Sequence, residues 1–228
     1  MCKICNGEDL TGQSKVVLQI CPNLKKVPQI KGVKWLEIIQ CKNIKEIEPI
    51  EGLLILMVVG CPNIETLPYI PTLKGLKLQC KKLNSIPKYE NLERLELHNE
   101  SVYNIPQYPK LQTLYLNHVS TDELPEYPNL LELQIHNSKQ LMSIAHYKHL
   151  YKCIIQSCPK LLSINNINKT INSCSRIQEF CIQNCRYLEN IKITEIETNN
   201  NLNLSLDGEK LKKNILYLEN LYINKKNI

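Results

Sequence analysis

Residues 13–32 read QSKVVLQICPNLKKVPQIKG, and residues 53–72 read LLILMVVGCPNIETLPYIPT. Each stretch has an apolar-x-apolar triplet, Val16/Leu18 or Leu56/Val58, and then Cys-Pro-Asn at Cys21-Pro22-Asn23 or Cys61-Pro62-Asn63. An apolar residue before a proline follows, at Val27-Pro28 or Leu67-Pro68, and then an isoleucine, Ile30 or Ile70. Aligned on these landmarks, the rest of the chain shows the same unit, L-x-x-L-x-L-x-x-C-x-x-L-x-x-[I/L]-P-x-[I/Y]-x-x. Units start at 13, 33, 53, 73, 92, 111, 130, 150, 177, 199 and 218, with successive spacings of 20, 20, 20, 19, 19, 19, 20, 27, 22 and 19. A fixed period of this length marks a chain built by stacking one small unit on the next.

The triplets predict the strands. The pairs are Val16/Leu18, Leu36/Ile38, Leu56/Val58, Leu76/Leu78, Leu95/Leu97, Leu114/Leu116, Leu133/Ile135, Cys153/Ile155, Phe180/Ile182, Leu202/Leu204 and Leu221/Ile223. Alternation with period two sends these side chains to one face of a strand and their neighbours to the other. Roughly ten residues remain in each unit to return to the next strand, little room for a stable helix. Pro28, Pro68, Pro87, Pro106 and Pro125 fall in that return path. Proline fixes φ and lacks an N–H, so an extended segment is expected there.

The unit resembles the leucine-rich repeat, L-x-x-L-x-L-x-x-N/C-x-L, from Gln13 onward. Units of this length with a proline after the second apolar cluster are most similar to the short repeats of bacterial effector-type proteins. The resemblance implies an α/β-type repeat solenoid: a right-handed horseshoe with a parallel β-sheet on its concave face and extended, polyproline-II or short 3-10 segments on its convex face. Residues 1–12 are expected to cap it, and residues 13–228 to form about eleven repeats, with a loop inserted near 165–175. It also implies that the residue at the N/C position turns inward and caps buried backbone groups. Cys21, Cys41, Cys61, Cys158 and Cys185 hold that position, Cys80 is shifted by one, and Asn99 and Asn137 fill the same neighbourhood.

Composition agrees with a layered core. There are one Phe, one Trp and 11 Tyr, with an apolar content dominated by Ile and Leu. Small aliphatic side chains of similar size suit identical layers. The net charge of +6 is dispersed, without the basic arm that nucleic-acid binding would favour. No run of about 18 apolar residues occurs, so no membrane span is expected. The N-terminus lacks an apolar secretory core, and the 11 Cys sit mostly at the repeating position. Both point to reduced thiols in a cytoplasmic compartment. Heavy use of Lys, Asn and Ile suggests an AT-rich coding sequence, such as that of a large DNA virus; for a virus or pathogen the compartment would be the host cytoplasm.

Catalytic and cofactor motifs fail on inspection. Cys2-x-x-Cys5 is half a zinc motif, and no second pair follows at suitable spacing. Gly7-x-x-x-x-Gly12-Gln13-Ser14 has glutamine where a phosphate-binding loop needs lysine. The five histidines converge on no nucleophile. The expectation is a non-enzymatic chain with no metal and no cofactor.

Function is therefore expected on the outward strand positions. In the first three units these are largely apolar: Val17, Trp35, Ile39, Ile55, Met57 and Val59. Contiguous exposed apolar surface marks an interaction site or a covered one. These residues are expected to bind a protein partner, with Arg94, His98 and Tyr115 as a polar rim. The alternative is a structural protein that self-associates through the patch or its open ends. Nucleic acid is the less favoured ligand, because Glu37, Glu96, Glu132 and Glu179 offset Lys15, Lys77, Arg94 and Lys152 along the same face.

Overall fold

The computed structural model describes residues 4–162 and 178–186, together with the backbone of 203–206. The repeat becomes a parallel-strand solenoid. A short 3-10 turn at Ile4–Asn6 precedes β1 (Lys15–Gln19), β2 (Lys26–Val27), β3 (Trp35–Ile39), β4 (Glu46–Ile47), β5 (Ile55–Val59), β6 (Gly75–Gln79) and β7 (Arg94–His98). β8 (Thr113–Asn117), β9 (Glu123–Leu124), β10 (Glu132–His136), β11 (Ser143–Ile144), β12 (Lys152–Gln156), β13 (Glu179–Gln183) and β14 (Asn203–Leu206) follow. One ten-stranded sheet, in the order β1-β3-β5-β6-β7-β8-β10-β12-β13-β14, takes one strand from each coil. The nine triplets from Val16/Leu18 to Phe180/Ile182 all face inward, each residue at most 2% exposed. The eleventh triplet, Leu221/Ile223, and the insertion near 165–175 lie outside the described residues.

The tenth triplet needs correction. Leu204 pairs with Phe180 and Leu206 with Ile182, so this strand runs two residues later than the Leu202/Leu204 reading. Leu202, Leu204 and Leu206 alternate with polar residues, so the local pattern fits either register equally well.

The return paths are extended, as the prolines require, and none of those described contains a helix. Their pairing follows the proline column. β2 pairs with β4 and β9 with β11. β4 is followed by Glu48 and β11 by Ala145, residues that keep the N–H proline lacks. The Glu48 N–H donates to the Val27 carbonyl at 2.9 Å. The coils with Pro68, Pro87 and Pro106 form no such ladder with the coil before them.

The core departs from the aliphatic expectation. Tyr89, Tyr108, Tyr127 and Tyr147 are buried in one column at the end of the return path. Their hydroxyls donate to the carbonyls of Pro68, Pro87, Pro106 and Pro125 in the preceding coil, at 2.9, 3.4, 3.4 and 3.1 Å. The rings of Tyr108, Tyr127 and Tyr147 stack with centroids 6.4 and 6.1 Å apart. Large rings fit identical layers because each lies on its own copy in the next coil. That spacing exceeds the roughly 4.8 Å between paired strands.

The strand ends show why small residues hold the N/C position. The Cys41 thiol reaches the carbonyls of Ile39 and Leu18 at 3.4 and 3.5 Å, and its sulfur accepts the Cys21 N–H at 3.4 Å. Cys61 reaches the carbonyls of Ile38 and Val59, both at 3.6 Å. Asn99 is buried, and its amide donates to the carbonyls of Cys80 and Leu83. Asn137 does not share this role. It lies one residue too early, at φ 53°, and Ser138 is the buried residue of that coil. Reduced thiols are present at Cys41, Cys61, Cys80, Cys158 and Cys185. Cys21 is instead disulfide-bonded, against the expectation of reduced thiols throughout.

Candidate functional site

Parallel register turns the open face of the sheet into columns. Trp35 is paired with Ile55 and Ile39 with Val59, while Glu37 is paired with Val17 on one side and Met57 on the other. The six apolar positions thus form two runs, Trp35–Ile55 and Ile39–Val59, joined at Met57. Val17 stands at the edge, separated from Met57 by Glu37. It is 36% exposed, and the other five are half-buried by their neighbours. No described element of the chain crosses this face.

Charge is closely managed around the apolar runs. The Lys15 ammonium sits 4.4 Å from the centre of the Trp35 ring and 2.7 Å from the Glu37 carboxylate. The Trp35 indole nitrogen is shielded from solvent and has no hydrogen-bond partner. Beyond Ile55 the column continues to Gly75, where an added Cβ would already stand 3.4 Å from Ile55. The Ile55 side chain thus leans over Gly75, whose partner on the next strand is Arg94.

Arg94, His98 and Tyr115 lie farther along the same face, separated from the apolar runs by Gly75, Lys77 and Gln79. The Arg94 guanidinium is engaged by Glu96 at 2.5 Å, and Lys77 binds the same carboxylate at 2.7 Å. Burial works to raise the Glu96 carboxyl, but Lys77 and Arg94 outweigh it and hold the group below the usual carboxylate range. His98 and Tyr115 have ring centroids 5.1 Å apart, and His136 adds a third ring 5.2 Å beyond Tyr115. Burial lowers both imidazoles; for His98 the positive charge of Lys77 adds to this, and for His136 a bond to Gln156 opposes it.

His136 was not picked out with the rim residues. His98 and His136 sit two coils apart in one column, and the ring joining them belongs to the neighbouring column. A column-by-column reading therefore hides the stack. A polar ladder continues from His136 Nδ1 to Gln156 Oε1 at 3.0 Å, and from Gln156 Nε2 to Gln183 Oε1 at 2.8 Å.

All four cations on the described part of this face are paired. Besides Lys15, Lys77 and Arg94, Lys152 contacts Glu179 at 3.0 Å and Glu132 at 3.8 Å. A separate recess of about 160 Å³ lies past the ends of β7, β8 and β10, lined by Glu100, His118, Asn137 and Lys139 among others. Among the described residues no three His, Cys, Asp or Glu side chains are grouped to hold a metal, and no helix is long and apolar enough to cross a membrane.

Stacked parallel strands, extended returns and an inward-turned cap at each strand end define a leucine-rich-repeat fold. Among solved structures, the chain resembles the leucine-rich repeat domain of the type III effector XCV3220 (XopL), with a TM-score of 0.59 and 16% identity over 86% of this chain and 76% of that one. No family model matches the chain, and no curated protein matches it.

Proposed function

We propose that this chain is a non-catalytic interaction module that binds a protein partner on the open face of its sheet, through Val17, Trp35, Ile39, Ile55, Met57 and Val59. The observation that carries this reading is the Trp35 environment. A large ring occupies the solvent side of a strand, and its N–H has no acceptor. An orphaned buried donor costs about 1–3 kcal/mol, against roughly 0.5–1 kcal/mol from the Lys15 ammonium over a solvent-facing ring, so contacts within the fold do not by themselves account for tryptophan here. Trp and Met are also enriched at the centres of protein interfaces. The Arg94, His98 and Tyr115 region would form the polar border. The fold's resemblance to an effector's repeat domain is compatible with action inside a host cell. Nucleic acid is a weaker reading because the cations of this face are already neutralised.

The test compares wild type with a Trp35→Glu/Met57→Lys variant in affinity capture with mass spectrometry, with an untagged copy present to report self-association. Capture of a protein by wild type and not by the variant supports the reading. Recovery of the untagged copy alone would assign the patch to self-association. An identical set from both baits would remove the patch from the interface. Trp35→Phe separates binding from folding: it deletes the orphaned N–H, so stability should hold or rise while capture weakens.

A further inference from the structure

Two of the strand-end thiols differ from the rest in what surrounds them. Gln156 and Gln183 are Cα partners at the ends of β12 and β13, and the Ser157 N–H continues the ladder to the Gln183 carbonyl at 2.9 Å. Two residues past these partners stand Cys158 and Cys185, in the same place on neighbouring coils. Each thiol bonds back to its own strand end, Cys158 to the Gln156 carbonyl at 3.5 Å and Cys185 to the Gln183 carbonyl at 3.4 Å. Cys158 and Cys185 are near enough for each to shift the other's titration. Neighbouring parallel strands lie about 4.8 Å apart, inside the roughly 4.4–6.8 Å Cα separation that a disulfide spans.

We propose that Cys158 and Cys185 are a reversible thiol–disulfide pair, closed by a small disulfide oxidant such as glutathione disulfide into a staple between two coils. Cys185 is the attacking group. It is half-buried, whereas Cys158 is fully buried. The neighbouring Cys158 thiol lowers the Cys185 thiol below its ordinary value, while Cys185 and burial raise Cys158. The Cys185 thiolate attacks one sulfur of glutathione disulfide and displaces one glutathione thiolate. Cys158 then attacks the Cys185 sulfur of the mixed disulfide, loses its proton and expels the second glutathione. Two protein thiols are oxidised by two electrons, and one glutathione disulfide is reduced to two glutathiones.

Other thiols lack this combination. Cys41 and Cys61 occupy equivalent places on adjacent coils, but both are fully buried, and burial pushes Cys61 up to about 11. Neither offers an exposed thiolate to start the exchange. Cys181 lies on the open face of β13 beside Gln156, on the opposite side of the strand from the core.

The full chain, reduced and freed of reductant, is incubated with glutathione disulfide near neutral pH and mapped by peptide mass spectrometry. Wild type should show a Cys158–Cys185 cross-link and no retained glutathione, with Cys41 and Cys61 still reduced. Cys158→Ser should trap glutathione on Cys185, and serine is tolerated at that position in the preceding coil, where Ser138 is buried. Cys185→Ser should leave Cys158 unmodified. A stable glutathione adduct on Cys185 of wild type, a cross-link from Cys185 to another cysteine, or equal closure of Cys41–Cys61 would each overturn the proposal. So would no reaction at all.

Discussion

Ile20 adopts φ 48° with most of its side chain in solvent. A β-branched residue rarely takes this left-handed conformation, which costs an L-residue about 1–2 kcal/mol. The strain belongs to the turn and not to the residue. Gln40, Gly60, His118, Asn137, Ser157 and Asn184, each the first residue after its strand, have φ between 53 and 68°. The left-handed residue turns the chain so that the next side chain points inward to cap the strand end. β6 and β7 lack it, and there Cys80 and Asn99 reach the cap position one residue sooner. Ile20→Asn should therefore stabilise the protein by about 0.5–1 kcal/mol, seen as a higher denaturant midpoint with an unchanged slope. Gly60→Ala should have the opposite sign by about 1 kcal/mol, since φ is 68° and the new methyl would meet Gln40 at 3.4 Å. A stable Gly60→Ala together with a destabilised Ile20→Asn would mean the turn conformation is not the source of strain.

At the scale of the element, the return path and the sheet are each held by bonds between coils. The Tyr89 hydroxyl lies 2.9 Å from the Pro68 carbonyl, in a coil whose proline can make no ladder bond of its own. Tyr89→Phe should cost about 0.5–1.5 kcal/mol. Coils with Ile30, Ile50 or Ile70 at that position are built without the phenol bond. A Tyr89→Phe variant with unchanged thermal stability would reduce the column to packing alone. On the opposite side, the His98–Tyr115–His136 stack imposes a pH dependence. Both imidazoles titrate below their ordinary value in the fold. The unfolded chain, titrating near pH 6.5, therefore binds more protons than the native state as the solution is acidified, and stability falls with pH from about 6.5 through the folded values. Urea midpoints measured from pH 7.5 to 5 should drop, and His98→Gln/His136→Gln should flatten that drop. An equally steep fall in the double variant would place the protons elsewhere.

For the whole molecule, the net charge is +6, but each cation described on the open sheet face has a carboxylate partner there. A phosphate backbone would have to break those pairs before gaining its own contacts, and affinity for nucleic acid depends on the number of phosphates neutralised. Fluorescence anisotropy with duplex and single-stranded DNA at about 150 mM salt should therefore show no binding tighter than the roughly 10⁻⁴–10⁻⁶ M range of non-specific association. Submicromolar binding with a steep salt dependence would move the interaction surface to the return paths, where unpaired lysines are found. The same balance favours a partner that reads shape and apolar area over net charge.

The sequence by itself determined the period, the strand core of nine coils, the inward pairs and the extended returns. Each depends on the two-residue alternation or on proline, both local properties repeated often enough to override a single irregular unit. It also placed Val17, Trp35, Ile39, Ile55, Met57 and Val59 on the solvent side of their strands. Only the tertiary structure decided what happens between coils. Leu202, Leu204 and Leu206 alternate too evenly to fix the register of the tenth strand. One left-handed residue decides whether Asn137 or Ser138 turns inward. The interruption of the apolar face by Glu37, the three-ring stack and the tyrosine–proline bonds join residues about 20 positions apart. Such contacts depend on inter-strand register and on side-chain reach, and neither is a property of any one repeat.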